Sequence, residues 1–176
     1  MTHGVVYQRK SLRRSGFDYS GNGVYFITIR SESNQLLFGS VMQEALFDSE
    51  AIIYTYNERS ILVVEQWLDL MHRFPGIHLD AYSLMPDHFH GIIRISSTPP
   101  ATNNITLSDI ICAFKSTTTK LCNKMDGKPG RKIWQRSYYD RIIRDDLELN
   151  AIRRYIVENP HRWKENEHYL FSNEMV

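Results

Sequence analysis

Sulfur chemistry is nearly absent from this chain. Cys112 and Cys122 are the only cysteines in 176 residues, they fall in a helical pattern, and they lack CxxC spacing, so neither a disulfide framework nor a thiolate metal site is expected. No apolar run approaches the roughly 20 residues needed to cross a bilayer. The opening Met1-Thr2-His3-Gly4 lacks the charged-then-apolar pattern of a signal peptide. The expectation is a soluble cytoplasmic protein with no membrane partner. Internal repeats and low-complexity tracts are missing too. What remains is a globular composition, 42% hydrophobic and 12% aromatic, long enough to bury a core without staples.

Net charge is also small, at +1, but it is segregated along the chain. Residues 112–144 hold nine bases against two acids, a net of +7, whereas residues 44–80 hold seven acids against two bases, a net of −5. A molecule divided in this way can present a basic face to a polyanion. In the basic stretch Lys115, Lys120, Arg131, Lys132 and Arg136 are candidate contacts for such a polyanion. Residues 1–22 mix Arg9, Lys10, Arg13 and Arg14 with Tyr7, Phe17 and Tyr19 and show no periodicity. They read as an arm preceding one domain over 23–176. Arg9, Lys10, Arg13, Arg14 and Tyr19 join the candidates for a nucleic acid, because cations neutralise phosphates and rings stack on unpaired bases.

Hydrophobic periodicity orders the rest. Gly23 to Arg30 reads as a buried strand, and Leu37-Phe38-Gly39 begins a short extended piece with a turn. A long helical pattern starts at Asp48 and runs through Ile53, Tyr56, Ser60, Val64, Trp67, Leu68 and Met71 until Pro75-Gly76. Ile77 to Leu84 and His88 to Ile95 form a hairpin around Met85-Pro86-Asp87. After a polar loop, Leu107, Ile110, Ile111, Phe114 and Leu121 mark a second amphipathic helix. Tyr138 to Ile143 is the last strand. The final helix begins near Asp145 or Asp146, with Glu148 placed as in a capping box, and is expected to stop at Pro160. The order strand, helix, strand, strand, helix, strand is a split βαβ arrangement. It predicts an α+β, ferredoxin-like antiparallel sheet with helices on one face and an appended C-terminal helix carrying Tyr155.

Two clusters of residues are not packing patterns. In His88-Phe89-His90 a strand places both imidazoles on one face and Phe89 on the other, which suits a divalent metal. In Tyr155-Ile156-Val157-Glu158-Asn159-Pro160 a helix projects Tyr155 and Asn159 side by side. Alone, His-x-His is more often a pair of surface residues, and a Tyr on an apolar helix face is more often core. Together they offer two imidazoles, an amide oxygen and a nucleophile.

These residues carry a resemblance to the single-tyrosine transposases of the HUH superfamily, in particular the REP-associated tyrosine transposases. It rests on Leu84-Met85-Pro86-Asp87-His88-Phe89-His90-Gly91 and on the Tyr155 to Pro160 segment. Further similarity lies in Tyr25-Phe26-Ile27-Thr28, Phe114-Lys115-Ser116 and Trp134 to Asp140. The resemblance implies a metal-dependent endonuclease and strand transferase of single-stranded DNA, cleaving at or near palindromic REP-type hairpins through a 5′-phosphotyrosine. It implies Tyr155 as nucleophile, with His88, His90 and Asn159 holding Mg²⁺ or Mn²⁺. The expected partner is single-stranded or hairpin DNA, with monomer and homodimer both open. Two other readings stay in view. One is a hairpin-binding module that does not cut. The other is a nucleotide phosphohydrolase of the histidine-triad kind, which would need a third alternating histidine where Ile92 stands. Tyr138 and Tyr139 rank below Tyr155 as nucleophiles and are read as DNA-contact or core residues.

Overall fold

The computed structural model describes residues 22–46, 49–96 and 105–172, with side chains for 22–40, 54–96 and 105–160. The basic arm, with Arg9, Lys10, Arg13, Arg14 and Tyr19, lies outside the described residues. The centre is β1 (Gly23–Arg30), whose β-branched and aromatic residues favour a pleated, two-sided strand. It pairs antiparallel with β5 (His88–Ile95), from Gly23 opposite Ile95 to Arg30 opposite His88. On its other side it pairs with β6 (Tyr139–Ile143). β4 (Ile77–Leu84) lies outside β5, so the sheet order is β4-β5-β1-β6. This is the expected ferredoxin-like layout, and His88 and His90 stand on an inner strand.

Side-chain alternation gives the sheet two different faces. Tyr25, Ile27 and Ile29 of β1, with Phe89, Ile93 and Ile95 of β5, are buried under α1 (Glu58–Arg73) and α2 (Leu107–Met125). Trp67 is the keystone of that side, 4.7 Å from Phe89 and 5.6 Å from Phe114 between ring centroids. It also explains Gly91, where a Cβ would stand 2.6 Å from the indole. The opposite face presents Phe26 and Ile92, which pack with Ile143 and with Leu149, Ile152 and Ile156 of α3 (Asp146–Ser172).

Two sequence expectations are corrected here. Residues 49–56 are not the start of the first helix. They form β3 (Ser49–Tyr56), paired with β2 (Gly39–Leu46) as a separate two-stranded sheet. The helix begins at Glu58 because Asn57 caps it: its side chain accepts from the amides of Arg59 and Ser60, and Ser60 bonds back to the Asn57 amide. The last helix does not stop at Pro160, which lies inside α3. A proline removes one rung, the N–H that would reach the Ile156 carbonyl, and leaves the following turns able to form at a cost of about 3 kcal/mol. The start of α3 is close to expectation: Asp145 accepts from the Glu148 amide at 2.8 Å, while Glu148 reaches the amide of Arg144 at 2.9 Å.

Candidate active site

The hairpin turn sets the imidazole pair. The Met85 amide donates to the His88 carbonyl at 2.8 Å, and the turn is tied to the rest of the fold by the Ser31 amide on Asp87 and the Phe38 amide on Pro86. From there His88 and His90 project to the same side, 7% and 4% exposed, with ring centroids 4.6 Å apart. Each ring is held from behind. His88 Nδ1 is 2.6 Å from the Asp87 carboxylate and His90 Nδ1 is 2.8 Å from the Thr28 hydroxyl, while Phe26 stacks on His90 at 5.3 Å. With Nδ1–H donating to those oxygens, each Nε2 presents its lone pair. Burial, reinforced by the charges of His88 and Arg30, pushes His90 down to about 3, so this ring is neutral at physiological pH.

Ile152 and Ile156 seat α3 on Phe26 and Ile92. Helical spacing then brings Tyr155 over the imidazoles. Its hydroxyl is 3.5 Å from His90 Nε2, an approach rather than a full hydrogen bond. Its ring meets His90 at 5.3 Å and Phe26 edge-on at 6.0 Å. At 37% exposed, Tyr155 remains open to a polymer from solvent. Asn159, one turn on, is 5% exposed, and its Oδ1 has no hydrogen-bond partner among the described residues. Leaving such an acceptor unmet costs about 1–3 kcal/mol.

Those observations fit a divalent ion. Two imidazoles and an amide oxygen are suitable donors, and an Asp87 carboxylate behind His88 is the usual outer partner of a ligating histidine. Among the described residues no group of three or more His, Cys, Asp or Glu could hold a metal. Asn159, on the turn after Tyr155 and with its oxygen unpaired among the described residues, is a donor of another type that such an ion could recruit.

The basic segment divides into spent and unspent charge. Lys115 donates to the carbonyls of Gln135 and Arg136 at 2.6 and 2.9 Å, and burial lowers its pKa. Asp126 takes a two-point bond from Arg59 at 2.9 and 3.0 Å and a further one from Arg131. These hold its carboxyl below the usual carboxylate range. Lys115 and Arg131 thus strap the 130–136 segment to the helices. The strap leaves a cleft of about 670 Å³ with Ile133 and Trp134 in its lining and the exposed Lys120 and Arg136 beside them, while the exposed Lys132 stands 3.9 Å from the Glu32 carboxylate. It runs along α2, on the opposite side of the sheet from the imidazoles. Tyr139, 49% exposed, shares the imidazole face, since Thr28 pairs with both His90 and Tyr139.

Residues 57–159 match the model of a family described as Transposase IS200 like. The chain belongs to the IS200-like transposase family. The match ends on Asn159 and contains His88, His90 and Tyr155, whereas β1 with Thr28 lies before it. This IS200-like transposase is 28% identical over 181 residues to an uncharacterized protein of Haemophilus influenzae, covering 94% of this chain and 95% of that one. Its fold is similar to that of a REP-associated tyrosine transposase solved bound to a REP hairpin. The TM-score is 0.58 at 18% identity, over 85% of this chain and 73% of the other. The family role is that of a DNA transposase. Among the described residues, no helix is long and apolar enough to cross a membrane.

The structure brings His88, His90 and Tyr155 together, with Asn159 on the next turn of the helix. The sequence pattern alone does not point to their supports and marks Asp87 only as a turn residue. Thr28 and Phe26 carry a signal only once β1 is paired with β5, when strand parity puts them beside His90.

Proposed function

We propose that this transposase is a metal-dependent endonuclease and strand transferase of single-stranded DNA, acting at or near palindromic REP-type hairpins through a 5′-phosphotyrosine. The observation that carries the reading is the Tyr155 hydroxyl beside His90 with the unmet Asn159 oxygen on the next turn. His88, His90 and Asn159 would hold Mg²⁺ or Mn²⁺, which supplies polarisation of the scissile phosphate and stabilisation of the charge that develops on it. The Tyr155 oxygen gives up its proton and attacks phosphorus, the bond to the 3′ oxygen breaks, and that oxygen takes up a proton and leaves as a 3′-OH, with no net change in protons. The phosphoryl group stays on the tyrosine, so its bond energy is kept for rejoining when a 3′-OH attacks in reverse. Thr28 and Asp87 fix the imidazoles, and Phe26 keeps the rings of His90 and Tyr155 in place.

The substrate reading follows from access. Tyr155 sits over a buried pair of rings, and a phosphate can be aligned there only if its neighbouring bases are free to unstack. The solved neighbour's REP hairpin supports the same class. Lys120, Lys132 and Arg136 grip backbone phosphates, with Lys115 and Arg131 shaping the cleft, while Arg9, Lys10, Arg13, Arg14 and Tyr19 of the 1–22 arm read the flank. Tyr139 offers a stacking face next to the scissile step.

The test is a labelled single strand carrying a hairpin and a 5′ extension. With Mg²⁺ or Mn²⁺ the wild type should cut it and keep one label covalently. EDTA should abolish both, and Tyr155→Phe should bind DNA yet lose about 10⁴-fold or more in adduct formation. Adduct formation by that variant, or undiminished cutting in chelator, would sink the proposal. Tight binding without cutting by the wild type would favour the non-cutting module.

A further inference from the structure

The eight residues from Arg153 to Pro160 contain both Tyr155 and Asn159, and side chains from outside the site hold this segment at its two ends. At one end, Arg153 makes a two-point bond to Asp80, Nε to Oδ1 at 2.8 Å and Nη2 to Oδ2 at 2.6 Å. A third bond, to Asn150 Oδ1 at 3.1 Å, fixes the guanidinium against its own helix. Asp80 stands where the pairing of β4 with β5 breaks between Leu79 and Tyr82. That irregularity adds one residue to the edge strand, so that Asp80 and Ala81 oppose Ile92 alone, and re-aims the carboxylate toward α3. The guanidinium in turn holds Asp80 below the usual carboxylate range. At the other end, the Tyr54 hydroxyl from β3 donates to the carbonyl of Pro160, directly after Asn159.

We infer that Asp80 and Tyr54 are positioning residues for the reaction: Asp80, through Arg153, sets the roll of α3 that presents Tyr155, and Tyr54 sets the turn that presents Asn159. This rests on the tyrosine-nucleophile reading above. The geometry explains why such a mount is needed. Arg153 and Tyr155 lie about 200° apart around the helix, on either flank of the Ile152 and Ile156 stripe. The stripe resists lifting but allows rolling. The Tyr155 hydroxyl stands roughly 9 Å from the axis, so a roll of about 10° moves it by about 1.5 Å. A misplacement of that order is worth about 100-fold in rate. An exposed ion pair contributes little to stability, but a two-point bond is strongly directional.

The experiment uses the full chain and three readouts: single-turnover adduct formation on the labelled hairpin, affinity for the same DNA, and Mn²⁺ affinity without DNA. Asp80→Asn and Arg153→Lys should each slow adduct formation by about 10- to 100-fold while DNA affinity moves by less than about 2-fold. Tyr54→Phe should weaken Mn²⁺ binding several-fold and act on adduct formation through that loss. The exchange Asp80→Arg with Arg153→Asp should recover part of the rate. Wild-type adduct rates in both Asp80→Asn and Arg153→Lys overturn the mount, as does a parallel fall in rate and DNA affinity that the exchange leaves unrepaired. Unchanged Mn²⁺ affinity in Tyr54→Phe overturns its half. Failure of the underlying reading looks different: Tyr155→Phe would still form the adduct, whatever these variants do.

Discussion

On one side of the sheet Tyr25, Ile27, Ile29, Phe89 and Ile93 are sealed beneath two helices. On the other side the same two strands present Phe26, Thr28, Arg30, His88 and His90 beneath one helix. The first face is interlocked tightly enough that glycine is required under Trp67. The second buries imidazoles and leaves an amide oxygen without a partner among the described residues. The contrast teaches that stability and chemistry are drawn from opposite sides of one strand pair. Apolar burial on the Trp67 side offsets polar groups on the His90 side that add little to folding until they meet a ligand.

Three experiments can break that contrast. The largest effect belongs to the imidazoles: His88→Ala or His90→Ala should lower adduct formation by about 10³-fold or more, as expected for loss of a metal ligand, and abolish tight Mn²⁺ binding. Thermal unfolding without metal should show a loss no larger than about 1–2 kcal/mol. Collapse of the fold in both variants would show that the two faces share one stability. Next is Trp67→Ala, which should cost about 3–5 kcal/mol in denaturant unfolding. The fraction still folded should form the adduct at a normal rate. A folded but inactive Trp67→Ala protein would mean that the apolar side also tunes the chemistry. The smallest effect is expected at the cleft, away from both: Lys120→Glu with Arg136→Glu should weaken hairpin binding about tenfold. The dependence of log affinity on log salt should flatten by about 0.7 for each single-strand phosphate that the variant no longer neutralises. An unaltered salt slope would remove the cleft from the DNA path.

How much could be read beforehand depended on range. Periodicity within one element was enough for β1, β4, β5, α2 and β6, and for the face shared by Ile152, Tyr155, Ile156 and Asn159. Periodicity alone makes the first helix too long because Ile53, Tyr56 and Ser60 happen to recur at helical intervals. Ile53 and Tyr56 belong to a hairpin strand and Ser60 to a cap, and Asn57 between them was the overlooked break. Local propensity makes Pro160 a stop, whereas the helix continues beyond the missing rung. At the candidate site, the residues that a motif carries are visible in the sequence, but the support that strand pairing carries is not. Thr28 behind His90 needs the partnering of β1 with β5, and the bond of Asp80 to Arg153 needs an irregularity in an edge strand. No spacing rule encodes either one.

The turn at Met85-Pro86-Asp87 limits how this protein can vary. Because strand side chains change sides at every residue, sliding β5 by one position would carry both imidazoles under Trp67 and swing Phe89 toward the tyrosine. The loss would be total, since one displacement strips the site of its donors and the core of its aromatic at once. Sliding by two would restore the sides and misplace the donors along the strand. The backbone bonds from Ser31 and Phe38 into the turn allow neither movement. Viable relatives should therefore keep the length of this turn unchanged even where its residues differ, and tolerate added or missing residues only in segments that no ligand-bearing strand has to count from.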